Sequence, residues 1–312
     1  NLIGAATTSN VLLTTTLART ASITDLAVGT VTTTTVALAW TSPIQDSRAP
    51  ITSYQIRYTV DGAVHSAVVA GPQSTSFVIG SGAGSPASEP LRLGAVVTNF
   101  DVRAVNLVGT APISNIVSTT TLNVPPPVTT LTTGSVTSST VPLSWIAPAQ
   151  DPRAPITAFE VRYTIIGVAQ APIRVLANVT SFTIGAAPNG LQAGSAVTAI
   201  DVRAVNIAGT AFIGNALSTT TLNVPSPVTI VLGTISATNV AVSWPAPVHD
   251  LRAPISSYRI QYMVNGVLHA TVVVASASVN FTIGSGAGSP PSEALPYGAS
   301  ISGINVRAVN LV

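Results

Sequence analysis

Three short sequences of the form Asp-x-Arg-Ala-Pro-Ile offer the most chemistry in this chain. Each places a carboxylate two residues before a guanidinium, in a protein in which only 7% of the residues are charged. Such a pair can close on itself and shape a turn, like many surface ion pairs. It can also contact a neighbouring domain or subunit, or bind a ligand, because exposed loops carry much of the recognition in proteins. The sequence leaves these interpretations open for Asp46, Arg48, Asp151, Arg153, Asp250 and Arg252.

A second charged pattern lies two residues apart on a later predicted strand. Asp101 and Arg103 recur as Asp201 and Arg203, and the third copy has Asn305 and Arg307. Residues two apart on a strand share a face. We therefore predict a solvated polar ladder on the outer face of a sheet.

Other residues that support catalysis or metal binding form no recognised pattern. His65, His249 and His269 lack the His-Glu-x-x-His spacing, and there is no nucleophile elbow or recurring carboxylate pair. Glycine-rich runs at 80–86 and 284–290 contain no lysine and precede no predicted helix, unlike phosphate-binding loops. Clustered oxygen ligands of the kind calcium needs are also missing from the sequence. We predict no catalytic, cofactor-binding or metal-binding residues, and a protein that is not an enzyme.

Charge and hydropathy argue against two classes of partner. All 12 basic residues are arginines, scattered singly against 10 acidic residues, so no basic patch for nucleic acid is predicted. Hydrophobic residues make up 46% of the chain, yet no run approaches the ~18 apolar residues of a membrane helix. Because there is no cysteine, disulfides and thiolate metal sites are excluded.

The same order of motifs recurs about every 100 residues, which is the size of a domain rather than of a solenoid unit. In each copy, apolar residues alternate with small or polar ones up to a tryptophan, as in 36–40, and a proline-bearing loop leads to a second alternating segment. Period-two alternation between glycine and proline residues predicts the short strands of an antiparallel β-sandwich. The predicted anchors of the three cores are Trp40, Trp145 and Trp244.

The second copy shows a family pattern most completely. Its order is Pro-Pro-Val128, Leu143-x-Trp145, Ala154-Pro155-Ile156-Thr157 leading to Val161-x-Tyr163, and Val202-Arg203-Ala204-Val205-Asn206-x-x-Gly209. This order resembles fibronectin type III domains, and its three copies extend the resemblance over almost the whole chain. The resemblance implies an all-β fold of tandem immunoglobulin-like sandwiches, each with seven antiparallel strands, A to G, in two sheets. The chain departs from the family early in strand F, where a tyrosine is usual, by having Thr98, Thr198 and Ser302.

We predict three domains on this template. Residues 21–122 and 126–222 form complete domains, and residues 226–312 form a third that lacks its G strand. Residues 1–17 match the tail of a repeat and are predicted to be the G strand of a preceding or neighbouring one. Either the chain is a window on a longer covalent array, which we favour because loops flank the cut, or residues 1–17 of one subunit complete the third domain of the next by strand addition.

The linkers and the surface favour a structural role. Proline-rich linkers at 123–127 and 223–227 restrict the backbone, so we expect a rod of domains at fixed angles. Threonine and serine replace charge on the outward faces, which predicts surfaces covered in an assembly.

Our hypothesis is a fibre, filament or sheath that is extracellular or on a cell or virion surface, with copies of itself or adjacent repeats as partners. The alternative is an adhesive or spacer stalk that binds or presents a carbohydrate- or receptor-binding domain outside these residues. We expect no cofactor, no nucleic acid partner and no membrane span.

Overall fold

The computed structural model describes residues 14–187 and 190–312, which form strands, turns and loops. The strands pair antiparallel, so the predicted all-β antiparallel class is confirmed. Among the described residues there is no helix of the length and hydropathy needed to cross a membrane. Of the strand predicted at 1–17, residues 1–13 lie outside the described residues and residues 14–17 belong to no strand.

The first repeat contains two sheets. One sheet has the order β1-β2-β5, and the other has the order β4-β3-β6, with β7 and β8 both paired to β6. Since β7 and β8 occupy the same edge of β6 in turn, they correspond to one interrupted strand G, which gives seven strands in all. The strands are β1 (Ala27–Val31), β2 (Val36–Ala39), β3 (Ile51–Val60), β4 (Ala63–Ala70), β5 (Ser76–Ile79), β6 (Val96–Asn106), β7 (Gly109–Thr110) and β8 (Val117–Thr120).

The second repeat has the same arrangement. Its sheets have the orders β9-β10-β14 and β12-β11-β15-β16, with β13 also paired to β11 and β17 to β15. The strands are β9 (Thr132–Thr133), β10 (Val141–Ser144), β11 (Ala158–Ile165), β12 (Val168–Ala169), β13 (Ile173–Leu176), β14 (Ser181–Ile184), β15 (Ala196–Asn206), β16 (Gly209–Thr210) and β17 (Leu217–Thr220).

The third repeat has the sheet order β18-β19-β23 and a second sheet in which β20 pairs with β21, β22 and β24. Its strands are β18 (Val231–Ile235), β19 (Val240–Ser243), β20 (Ser257–Val264), β21 (Val267–Leu268), β22 (Val272–Ala275), β23 (Asn280–Ile283) and β24 (Ile301–Val309). Within the described part of the chain, β24 has β20 as its one strand partner.

Alternation along the strands puts one face of each sheet into a core, and a tryptophan lies in each core. Trp40, Trp145 and Trp244 are 5%, 4% and 3% exposed. Each ring packs on an aromatic residue from the next strand, with centroids 5.4, 5.5 and 5.3 Å apart. Burial of such large rings contributes strongly to each core.

The chain divides into two compact units. Of the described residues, the first unit contains those up to 126, together with 149–157 and 205–211. The second contains 127–148, 158–204 and 212–312. Two loops of the second repeat therefore belong to the same unit as the first repeat, and both carry residues of the candidate site.

Candidate functional site at the repeat junctions

Each Asp-x-Arg loop closes on itself through a two-pronged ion pair. In the second repeat, the backbone N and Nε of Arg153 donate to Asp151 Oδ1 at 2.9 and 3.1 Å, and Nη2 donates to Oδ2 at 2.7 Å. The loops at Asp46 and Asp250 repeat these contacts within 0.1 Å. A fork-to-fork pair of this kind fixes the plane and direction of the guanidinium. The ion pair therefore aims the remaining guanidinium N–H groups away from its own loop.

The ion pair also changes the acidity of the carboxylates. Hydrogen bonds from the arginine side chain, followed by those from its backbone amide, lower the pKa of Asp151 from its ordinary value of 3.8. The same causes lower the pKa of Asp46 and Asp250. All three carboxylates are consequently ionised at neutral pH.

The arginine of each loop also binds threonines that lie before the repeat to which the loop belongs. Arg153 Nη1 donates to Thr119 Oγ1 at 3.2 Å and to the Thr120 carbonyl at 3.0 Å, and its Nη2 donates to Thr120 Oγ1 at 3.1 Å. These threonines lie at the end of strand β8, the final strand of the first repeat. The loop thus forms both the local ion pair and the contact to a neighbouring repeat that the sequence left open.

The other two loops make the corresponding contact. Arg48 donates to the carbonyl and Oγ1 of Thr15 at 3.2 and 3.3 Å. Arg252 donates to the carbonyl and Oγ1 of Thr220, both at 3.0 Å. All three junctions, including the first, whose linker lacks the prolines of the other two, share this arginine-to-threonine contact.

Strand F of the three repeats is β6, β15 and β24. An asparagine at the end of each, or directly after it, forms a second contact at the junctions. Asn206 Nδ2 donates to the carbonyl of Asn123 in the linker at 2.9 Å and to the carbonyl of Ala154 at 3.2 Å. Its Oδ1 accepts from the amides of Ala208 and Gly209 at 2.9 and 3.2 Å. One amide side chain, 7% exposed, therefore joins the linker, the Asp-x-Arg loop and the turn after strand F.

This asparagine contact also occurs three times. Asn106 Nδ2 donates to the carbonyls of Ala18 and Ala49 at 3.0 and 3.3 Å. Asn310 Nδ2 donates to those of Asn223 and Ala253 at 2.8 and 3.3 Å. We use the name asparagine clamp for these three side chains and their bonds.

The clamp was not predicted from the sequence, although Asn206 is part of the family pattern of the second copy. The sequence signal for the clamp was the motif Asn-x-x-Gly, which occurs at the end of strand F in the first two repeats. Gly209 has φ +134°, and a Cβ there would lie 3.3 Å from Val124 Cγ1 in the linker. A glycine that lets the turn approach the linker, next to a buried polar side chain, indicates a junction rather than an ordinary strand end.

The strand-F pairs differ from the prediction. Asp101 and Asp201 are only 6% and 5% exposed, so they are not part of a solvated ladder. Arg103 Nε donates to Asp101 Oδ2 at 2.6 Å, and Arg203 Nε to Asp201 Oδ1 at 2.7 Å. The amide of Ser114 also donates to Asp101 at 3.2 Å, because the segment before β8 folds over this carboxylate.

The junction offers little for catalysis. A cleft of about 330 Å³ opens beside the second junction, lined by residues such as Thr120, Pro125 and Asp151. Asp151 is the only ionisable side chain in that lining, and it is already paired with Arg153. Within residues 14–187 and 190–312 there is no group of three or more histidine and acidic side chains that could hold a metal ion.

The histidines are separated from one another. His65 stacks on Tyr58 with centroids 5.0 Å apart, and His269 stacks on Tyr262 at 5.2 Å. His249 Nδ1 lies 3.2 Å from the carbonyl of Pro247. These contacts pack the rings against strands and turns and provide no acid–base pair.

Comparison with known proteins gives matches among solved structures. No protein-family model and no curated protein matches the chain. The chain is similar to the FN1–FN3 domains of chicken contactin CNTN1, with 16% identity and a TM-score of 0.33, over 93% of this chain and 94% of that one. It is also similar to a two-domain fibronectin type III segment of chicken tenascin, with 18% identity and a TM-score of 0.27, over 64% of this chain and 97% of that one. Both matches are tandem fibronectin type III domains, the family that the sequence resembles.

Proposed function

We propose that the chain is a structural repeat protein whose β-sandwiches continue head to tail in a fibre, filament or sheath, outside the cell or on a virion surface. The observation that carries the proposal is one set of contacts between a repeat and the segment before it, which all three repeats make. Each junction has the same arginine contact and the same asparagine clamp, made to backbone carbonyls and threonines at matching places.

Repetition of one contact is what an open-ended assembly requires. A head-to-tail interface that does not close on itself propagates, because every new unit offers the same surface as the last. A hydrogen bond to a backbone carbonyl also keeps its acceptor when linker side chains change, as they do between residues 18–20 and 123–125. The clamp therefore works at every linker of such an array.

The surface supports the same proposal. Large apolar side chains in the loops are exposed to solvent, including Ile44 at 92%, Val248 at 83% and Leu251 at 86% exposure. Scattered apolar residues are ordinary on a surface, but here few charges separate them, and such a surface favours association. Lateral packing between copies would cover these side chains.

We propose that the assembly continues along the edge of β24 that faces away from β20, which has no strand partner among the described residues. In the first repeat, the corresponding strand β6 is paired on its outer edge by β7 and β8. A segment of the same type as 106–122 would pair with β24 in that way, either from a continuous chain or from another copy. Both routes produce the same junction.

Intact mass under denaturing conditions, measured on the natural assembly, distinguishes the two routes, and electron microscopy of the same material tests the proposal itself. A mass of 31.5 kDa indicates strand-donating subunits, whereas a much larger mass indicates a covalent array. The absence of any elongated assembly by microscopy would refute the structural role.

An adhesive or spacer stalk is the second candidate. The observation that favours it is that the contacts of Arg153 and Arg252 are satisfied within one chain, between consecutive repeats. No second copy is needed to form these junctions. A stalk predicts a monomer at all concentrations by analytical ultracentrifugation and a separate binding domain in the parent protein.

A further inference from the structure

The outer face of the β20–β24 sheet in the third repeat places two arginines directly opposite each other. Arg259 on β20 and Arg307 on β24 are cross-strand partners, and both side chains point away from the core because Ile260 and Val306 beside them are buried. Like charges in directly opposed positions destabilise a sheet. Among the described residues, neither guanidinium forms an ion pair.

The same positions in the first two repeats are arranged differently. There, an acidic residue accompanies the arginines: Asp101 binds Arg103, Asp201 binds Arg203 and Glu160 binds Arg162. The third repeat has Asn305 where the others have aspartate, and Arg259 where the others have glutamine or glutamate. A third change works the other way, since Gln261 stands where the others have Arg57 and Arg162. The face of the third repeat therefore has two arginines at these four positions, like the other repeats, but no carboxylate beside them.

The two arginines lie in the lining of one cleft. Its volume is about 430 Å³, and its lining includes Arg259, Gln261, Thr271 and Arg307 on one side and the linker residues Val224 and Pro225 on the other. This volume falls within the range of small-molecule sites, about 300–1,000 Å³. The clamp of Asn310 on the Asn223 carbonyl, at 2.8 Å, holds the linker wall in place.

Besides the arginines, the cleft offers a hydroxyl group that can donate a hydrogen bond. Gln261 Nε2 donates to Thr271 Oγ1 at 2.9 Å, which leaves the threonine hydroxyl hydrogen free to donate to a ligand. Two guanidinium forks and a hydroxyl are donors, and the lining contains no carboxylate. Planar guanidinium forks match the paired oxygens of phosphate and related anions.

We propose that this cleft binds a compact oxyanion of the phosphate type between Arg259 and Arg307. The bound anion takes the place of the carboxylates that pair with arginines in the other two repeats and relieves the repulsion between the opposed arginines. The site belongs to the third repeat alone, so it gives one repeat in three a distinct surface. It shares the linker and strand β24 with the third junction, but none of the junction arginines takes part, so phosphate binding and assembly are tested by separate measurements.

The test is a titration of the full chain, labelled with ¹⁵N in arginine, with sodium phosphate at constant ionic strength. We expect the Nε–Hε signals of Arg259 and Arg307 to shift saturably and those of Arg48 and Arg153 to stay in place. Arg259→Gln, which introduces the residue of the first repeat, is expected to weaken binding about tenfold or more, since it removes one charged fork.

Two variants separate a site from general electrostatic attraction. Arg103→Gln removes the same charge from the first repeat, where the arginine is already paired, and is expected to leave phosphate affinity unchanged. The variant Asn305→Asp restores the carboxylate that the other two repeats have at this position and is expected to abolish binding, because a carboxylate then occupies the guanidinium of Arg307.

Titration with glucose 6-phosphate distinguishes the source of the anion. Tighter binding than inorganic phosphate indicates a phosphate carried on a larger molecule, and equal binding indicates the free ion. The proposal is overturned if chloride at equal ionic strength produces the same shifts, if neither arginine signal saturates, or if Arg103→Gln weakens binding as much as Arg259→Gln does.

Discussion

Replacing Asn206 with alanine removes the asparagine clamp of the second junction without touching either hydrophobic core. The side chain makes four hydrogen bonds, two as donor to the carbonyls of Asn123 and Ala154 and two as acceptor from the turn amides. All four partners stay behind in Asn206→Ala. The substitution therefore measures what the clamp contributes to the stability of the second repeat.

The expected loss follows from the geometry of these bonds. A typical hydrogen bond contributes about 0.5–1.5 kcal/mol net, and a buried partner left alone costs more. The two turn amides share one acceptor, Asn206 Oδ1. Because they lie at a surface turn, water can take the place of this oxygen, and we count the two bonds as about one. Together with the two carbonyl bonds, the sum is about 2–3 kcal/mol in the free energy of unfolding.

The fluorescence of Trp145 can report this loss for one repeat in the full chain. With Trp40 and Trp244 replaced by phenylalanine in every variant, guanidinium chloride unfolding follows the second repeat alone. This restriction matters because a chain of several domains does not unfold in one two-state step. Asn206→Ala is expected to lower the midpoint without changing the slope.

Two matched variants assign the loss to its bonds. Asn123→Ala keeps the carbonyl that the clamp uses and is expected to change the stability by less than about 0.5 kcal/mol, as surface substitutions do. Asn206→Asp keeps an acceptor for the turn but cannot donate to the carbonyls, and its loss should equal or exceed that of Asn206→Ala. A loss below about 0.5 kcal/mol for Asn206→Ala, or none for Asn206→Asp, would refute the assignment of the clamp.

Two further predictions concern a carboxylate and a glycine. The pKa of Asp151 is lowered from 3.8, so its contribution to stability is present above pH 3.8 and is lost as the pH falls through the lowered pKa. ¹³C NMR of the Asp151 carboxyl group should show a titration midpoint below 3.8. In Arg153→Gln, the midpoint should move back towards 3.8. Gly84→Ala should destabilise the first repeat by about 2–5 kcal/mol, because φ is +95° and the new Cβ would clash with Val68 Cγ1. Gly82→Ala, with φ +79° and no atom within 4 Å of its Cβ, carries the backbone cost alone and should lose about 1–2 kcal/mol. Both glycine variants are measured by guanidinium chloride unfolding with Trp40 as the probe, because Trp40 lies in the core of the first repeat, and with Trp145 and Trp244 replaced by phenylalanine.

The fold was predictable because its signals are local. Alternation such as Val36-Ala37-Leu38-Ala39 places every second side chain on the core face, and β2 forms there. A turn residue followed by glycine, as at Asp61 and Gly62 with φ 50° and 87°, marks the tight connection between β3 and β4. Neither signal needs information from elsewhere in the chain.

The junction was less predictable because its partners are far apart in sequence. Asp151 and Arg153 are two residues apart, so their ion pair is a local property that the motif indicates. The acceptors at Thr119 and Thr120 lie 33 or more residues before Arg153, and no pattern links the two places. The covering of Asp101 by Ser114 was missed for the same reason, since alternation along a strand predicts which face a residue occupies but not which loop folds over it.

The distance between a clamp and its linker has a consequence for synthesis of the chain. Asn206 follows the Asn123 carbonyl that it binds by 83 residues, and the other two asparagines follow their linkers by 88 and 87. A linker therefore leaves the ribosome long before the side chain that fixes it, and it becomes fixed only when strand F of the next sandwich has folded. Each linker therefore receives its clamp from the repeat made after it, and unfolding that repeat releases the linker carbonyl through the loss of a single side chain.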